Sequence, residues 1–339
     1  MRLRRAVLVG IVLAVAAPPA RAGEYRIVAR STLGGDGRWD LLAVDQAARR
    51  LYVSRATRVM VVDADSLKVV GEVPDTPGVH GIAIAHDLGR GYTSNGGAAT
   101  SSIFDLKTLR RIGEVQTGQN PDMILYDRPT RRVFVFNGRS ADATVFDAGS
   151  GKVRATIALG GKPELAVSDG KGVVFVNLED TGEAVAIDAR GLKVKARWPL
   201  APCQEPTGIA LDAEHRRLFS ACSNGLLAVS DADAGRVVAT APIGKDPDGA
   251  VFDEERQLAF TSSAEGTVTI VREVSPEEFQ VVQTVKTAPG AKTIALDPLK
   301  HRVYLVTAQF GAPAAATAGA PAPRPQPLPE TVEVIALGR

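Results

Sequence analysis

Apolar and polar residues alternate over short runs along this chain, and the runs return at a fixed interval. The stretch PDMILYDRPTRRVFVFNG (121–138) sets the pattern: an apolar run, a polar turn, then a second apolar run ending in Asn-Gly. Related stretches are WDLLAVDQAARRLYVSR (39–55), HGIAIAHDLGRGYTSNGG (80–97) and PELAVSDGKGVVFVNLE (163–179). Three more follow, PTGIALDAEHRRLFSACSNG (206–225), PDGAVFDEERQLAFTSSAEG (247–266) and AKTIALDPLKHRVYLVTA (291–308). Aligned on Asp45, Ala85, Asp127, Asp169, Asp212, Asp253 and Asp297, the seven copies are spaced by 40 to 44 residues. A period of that length built from short strands predicts propeller blades.

Each copy reads as four strands. In the third they are DMILY (strand a), RVFVFN (b), ATVFD (c) and KVRATIAL (d), separated by DRPTR, NGRSAD and DAGSG turns. Alternating apolar positions in b, c and d suit strands packed between neighbouring blades. The seventh copy has only a and b before a Pro/Ala-rich segment at 312–329, and the isolated run TVEVIALG (331–338) follows it. YRIVARSTL (25–33) precedes the first copy. These two runs supply strand c and strand d of blade seven, so the expected fold is all-β, a seven-bladed β-propeller of four-stranded blades whose last blade is closed by N- and C-terminal strands. Closure hides sheet edges that would otherwise invite aggregation.

The first 22 residues read as an export leader. Arg2, Arg4 and Arg5 precede the apolar run AVLVGIVLAVAA (6–17), and ARA (20–22) offers small residues for cleavage. The run is too short to span a bilayer comfortably, and no Cys follows the cleavage point, so the expectation is a periplasmic protein without a stable membrane anchor. The leader also changes the charge picture. The whole chain has 40 Lys+Arg against 38 Asp+Glu; without Arg2, Arg4, Arg5 and Arg21 the balance is 36 against 38. No basic block is interleaved with aromatics, which leaves nucleic-acid binding without electrostatic support. A phosphate-cradling Gly loop, H-E-x-x-H and a nucleophile elbow are also missing.

The repeat resembles the YVTN-type β-propeller family, whose blades carry a core like RLYVSR…VVDADSLKVVGEV (50–73 here). Versions recur as RRVFVFN…TVFDAGSGKVRATIALG (131–160) and RRLFSAC…AVSDADAGRVVATAPIG (216–244). The resemblance implies an exported binding or scaffold protein and carries no catalytic residues over, since propellers host many activities.

Asp63, Asp105, Asp147, Asp188 and Asp231 each end strand c before a tight turn, where Asp hydrogen-bonds backbone amides two residues on. Asn95-Gly96, Asn137-Gly138 and Asn224-Gly225 suit b–c hairpins that need positive φ, with ligation by Asn as the alternative. His86, His215 and His301 fall in a–b turns and are expected to be solvated rather than to bind metal. Cys203 and Cys222, the only cysteines, fall on one face and are expected to be bridged. The Pro/Ala-rich segment lies in the b–c loop of blade seven, as a tolerated insertion or as a flap over that face.

The residue five before each aligned anchor is Asp40, His80, Asp122, Glu164, Thr207, Asp248 and Lys292, polar in all seven copies. In a propeller strand a lines the channel, so these form a ring at one mouth, with Glu205, the cysteine pair and the Pro-rich insert on the same face. Asp40, His80, Asp122, Glu164, Asp248 and Lys292 are the candidate ligand-binding set. Four carboxylates against one lysine favour a cationic ligand group or a divalent cation, Ca²⁺ first, with His80, Asp122 and Glu164 as candidate metal ligands. The expected function is that of a monomeric ligand-binding or protein-interaction propeller acting on a periplasmic protein or small molecule. The alternative is a lactonase-like metal-dependent hydrolase using the same mouth.

Overall fold

Strands b and c of most copies are rich in Val, Ile, Phe and Ala, residues that fit a pleated surface covered on both sides, and those of the second copy, RGYTSN and TSSIFD, bury Ser and Thr. In the computed structural model, which describes residues 23–35, 37–311 and 326–339, they form the middle of seven four-stranded antiparallel sheets. Blades one to six run a–b–c–d in chain order, from Leu42–Asp45 of blade one to Glu278–Lys286 of blade six. Blade seven takes strands a and b from Ile294–Asp297 and Arg302–Thr307, c from Glu333–Gly338 and d from Arg26–Thr32. The N- and C-terminal strands close the ring as the sequence predicts, pairing Arg26 with Gly338 and Thr32 with Glu333. Among the described residues no helix is long and apolar enough to cross a membrane. Residues 1–22, where the sequence suggests a leader, and 312–325 of the Pro/Ala-rich segment lie outside the described residues.

The core is divided among the seams between blades, and this changes one expectation. Strands b and c do not alternate: Val133, Phe134, Val135 and Phe136 are all fully buried because neighbouring blades cover both faces. Alternation survives only in the outermost strand d, as in Lys193–Pro199. Aromatic rings bridge the seams, Tyr92 of blade two lying 5.8 Å from Phe146 of blade three. Arginines that open strand b reach the c–d turn of the next blade, with Arg50 Nη1 donating to the Leu106 carbonyl at 2.5 Å and Arg217 Nε to Pro276 at 2.6 Å.

On the face opposite the strand-a starts, the aligned Asp anchors are buried and latched across seams. Ser168 donates to Asp127 at 2.6 Å, Arg216 reaches Asp169 at 3.2 Å, and Arg49 reaches Asp297 at 2.7 Å. The turn histidines belong to this system, which corrects the expectation that all three are simply solvated. His86 contacts Asp45 at 3.3 Å and remains exposed, whereas His301 is largely buried and contacts Asp253 at 2.8 Å. His215 contacts the Asp212 of its own turn at 2.8 Å. A buried carboxylate needs a donor, which the next blade supplies to most of these anchors and its own turn supplies to Asp212.

The turns carry their expected chemistry with one exception. Oδ1 of Asp63, Asp105, Asp188 and Asp231 accepts the expected backbone N–H two residues on, and in all five turns, Asp147 included, it accepts a closer one three residues on at 2.7–2.8 Å. Of the Asn-Gly pairs, only Gly225 takes positive φ (77°); in the other two hairpins that conformation moves to Ala99 and Ala141, just before strand c. There Asn95 and Asn137 are buried and donate inward to Ser102 and Thr144. Cys203 and Cys222 form a disulfide with Cα atoms 5.4 Å apart.

Candidate functional site

An acid where a buried strand begins is accommodated by a local break in the ladder. In blade three Pro121 pairs with Asn137 and the next regular pair is Ile124 with Val135, so strand a carries one extra residue. The same irregularity follows Val79, Pro163, Pro206 and Pro247. A β-bulge turns a side chain out of the regular alternation. His80, Asp122, Glu164, Thr207 and Asp248 all sit in these bulges, while Asp40 and Lys292 lie just ahead of the short a-strands of blades one and seven, with Leu41 and Thr293 between.

Asp40, His80 and Asp122 come together. His80 Nδ1 lies 2.6 Å from Asp40 Oδ2 and 3.7 Å from Asp122 Oδ1, and the three donor groups lie within 4.8 Å of one another. Gly96 gives the ring its place, since a Cβ there would stand 2.7 Å from His80 Nε2. Glu164 is not in this group. It pairs instead with Lys162 at 2.8 Å, and Lys162 also contacts Glu179. Asp248 pairs with Lys292 at 2.5 Å. Thr207 does not line the mouth: it is buried, and its hydroxyl donates to the Pro247 carbonyl at 2.7 Å across the blade five–six seam.

The electrostatics follow from partial burial of like charges. Burial, reinforced by the charge of Asp40, pushes the Asp122 carboxyl up to about 6 despite His80. Burial alone would depress His80, but its hydrogen bond to Asp40 and the charge of Asp122 raise it to about 8. His80 is therefore mainly a cation at neutral pH, although an imidazole at its reference value would be mostly neutral there. Burial pushes Glu164 up to about 8, whereas Lys162 is held above its ordinary range by Glu164 and Glu179. The pair is reconciled by the second acid: the more exposed Glu179 keeps Lys162 charged, and the deeper Glu164 holds a proton. Asp248 is raised by burial against the opposing charge of Lys292.

A pocket of about 600 Å³ opens beside the cluster, between blades one, two and seven. Trp39, Val79, Phe310 and Pro327 give it an apolar wall, and Arg38, Asp40, His80 and Lys292 a polar one. The Trp39 and Phe310 rings are 6.0 Å apart. Phe310 and Pro327 flank residues 312–325 and are bridged to each other, so the ends of the Pro/Ala-rich loop border the mouth. Glu205 is exposed in the loop between the two cysteines. Sequence comparison among blades misses Lys162 and Glu179, which lie outside the aligned ring position. Their signal was proximity, Lys162 standing two residues before Glu164. Among the described residues, His80 has carboxylates as its hydrogen-bonding and ion-pairing partners, so the arrangement holds and releases protons and offers anionic oxygen to a ligand.

No family model matches the chain, so the YVTN resemblance stands on the repeat residues alone, and no curated protein matches either. Among solved structures, the chain is similar to one from Kuenenia stuttgartiensis hydrazine synthase, with 17% identity and a TM-score of 0.68. That match covers 85% of this chain and 96% of the other. At such low identity the likeness shows the propeller fold, and nothing of that protein's chemistry transfers with it.

Proposed function

We propose that this protein is an exported ligand-binding or interaction propeller whose mouth takes a small molecule with a cationic group beside an apolar body. The observation that carries the reading is the shared pocket. The apolar wall of Trp39, Val79 and Phe310 faces the same space as the anionic oxygen of Asp40, with Asp122 directly behind His80. Pockets that bury a ligand body against apolar side chains and orient it with a few polar groups are the common binding design. The proton held by Asp122, behind His80, supports a cationic preference, because an incoming ammonium group would take over the work of that proton. The disulfide supports placement in an oxidising compartment such as the periplasm.

Phenethylammonium and phenylacetate, which share a body and differ in charge, test this directly. Calorimetry should show the cation binding with proton release at pH 6–7 and the anion not binding, and an Asp40→Asn/Asp122→Asn variant should lose the response. Equal binding of both probes, or none, would overturn the reading.

A second reading is favoured by the approach of Asp40, His80 and Asp122 to one another. These residues would hold a divalent cation with a bound water for hydrolysis, provided His80 gives up its proton. Titration of Ca²⁺, Mn²⁺ and Zn²⁺ beside an Asp122→Ala variant separates the two. Uptake lost in the variant favours the metal reading, and no uptake removes it.

A further inference from the structure

A second cluster lies on the opposite face, at the seam between blades five and six, and it breaks the repeat. In five blades the residue after the strand-c Asp is Ala64, Leu106, Ala148, Ala189 or Ala232, buried in each case. Its backbone N–H donates to the a–b turn, as Ala64 does to Arg49 and Ala232 to Arg216. In blade six the strand-c Asp is replaced by Arg272, the strand continues to Ser275, and the following position is Glu273, whose N–H keeps the same bond to Gln257. An acid thus occupies a site that sister blades fill with alanine or leucine. It is 5% exposed, and neither carboxylate oxygen has a hydrogen-bond partner.

Glu273 points at two other ligating groups. Its Oε1 lies 3.1 Å from His215 Nδ1, which lies 2.8 Å from Oδ2 of the buried Asp212. One imidazole N–H cannot satisfy two buried carboxylates, so the cluster is short of positive charge. Asp212 Oδ1 is already committed to the backbone N–H groups of Glu214 and His215, which fixes Oδ2 toward the centre.

We propose that Asp212, His215 and Glu273 form a binding site for a divalent transition-metal ion, Zn²⁺ first, that pins blade five to blade six. One imidazole and two carboxylates are a zinc donor set, and ligand atoms of a tetrahedral zinc lie roughly 3.3 Å apart. The two distances to His215 Nδ1, 2.8 and 3.1 Å, need to expand by only a few tenths of an ångström. A single Zn²⁺ neutralises the two carboxylates with a neutral His215 and gives Glu273, whose oxygens accept no hydrogen bond, a ligand to bind. The part-exposed imidazole marks the side from which the ion enters and where water completes the coordination. This site is independent of the channel mouth.

The test uses the full chain as produced in cells, stripped with a chelator and titrated with Zn²⁺ against a chromophoric competitor. Wild type and Asp122→Ala should each bind one Zn²⁺ at this site. Glu273→Ala, which restores the residue of the sister blades and so should fold, should bind it more than about 100-fold more weakly, because even an outer-sphere partner is typically worth 10–100-fold. His215→Asn should lose the ion too and guards against misfolding of the first variant. Co²⁺ loading should give an intense tetrahedral absorption band that both variants abolish. No uptake by the wild type, or uptake unchanged in Glu273→Ala and His215→Asn, would overturn the proposal and leave Glu273 as a protonated acid sharing its hydrogen with Asp212.

Discussion

Replacing Asp122 with Asn should make the protein more stable at neutral pH while weakening the mouth. Asn has the shape of the protonated acid and no charge to bury. Burial, with the nearby charge of Asp40, moves the Asp122 carboxyl from 3.8 to about 6. The folded protein therefore keeps a proton that the unfolded chain releases near pH 4, and stability falls as pH rises through this window. Two pKa units correspond to about 3 kcal/mol as an upper bound. The side chain is still 24% exposed, and solvent screening reduces the gain from Asn to about 1–2 kcal/mol. For a chain of this size that raises Tm by roughly 2–3 °C. Thermal or urea unfolding of both proteins between pH 4 and pH 6.5 measures it. The two should differ least at pH 4, where the folded Asp122 is protonated and the unfolded carboxyl only begins to ionise, and separate progressively toward a plateau above pH 6. That range lies below the loss of the His80 proton near 8, so the imidazolium does not complicate the comparison. A constant offset at every pH, or a variant less stable at pH 6.5, would refute the argument that a buried charge is the cause.

Three further outcomes follow from the fold. Removing the disulfide by Cys203→Ala/Cys222→Ala frees a loop with a sequence separation of 19 and should cost about 3 kcal/mol in denaturant unfolding, while the wild type shows no free thiol by mass. Deleting 331–339 should remove strand c of blade seven, leave strand d without a partner, and produce aggregation or loss of cooperative unfolding by scattering and calorimetry. Gly208→Ala would place a Cβ 2.7 Å from the Ala250 nitrogen across the blade five–six seam, and overpacking of this kind should cost about 1–3 kcal/mol by chemical denaturation.

Periodicity made the architecture readable, because a repeat of short strands admits few closed solutions. Even the circular clasp follows from two orphan strands that need partners. Burial was harder: strands b and c carry no alternation once both faces are covered, so Phe134 and Val135 cannot be told apart by period. The ring position was legible because a polar residue recurs at the same offset from each anchor, held in a bulge in five of the seven blades. What each ring residue contacts was not, since that depends on long side chains from outside the aligned position. Lys162 draws Glu164 away from His80, and Asp40 takes its place. Thr207 shows the same limit from the other side: it is polar because a neighbouring carbonyl needs a donor, and a hydroxyl serves a seam as well as a mouth. His215 looked like a surface turn because its partner, Glu273, comes from a different blade.

The clasp in blade seven also sets an order of events. Arg26–Thr32 is the first strand of the described chain, and it pairs with Glu333–Gly338, the last. Their separation of about three hundred residues, seen in the Arg30–Glu333 pair at 2.6 Å, makes this the least local contact in the sheet system. During synthesis the early strand must wait, unpaired, until the rest of the ring exists. Blades one to six can assemble from neighbouring segments, but ring closure carries the largest loop entropy and should come late. Arg26 and Arg30 make the waiting strand a poor template for foreign edges. A circular permutant with its ends joined and new termini cut into a c–d turn would make that pairing local, and its refolding should be faster with the same final blades.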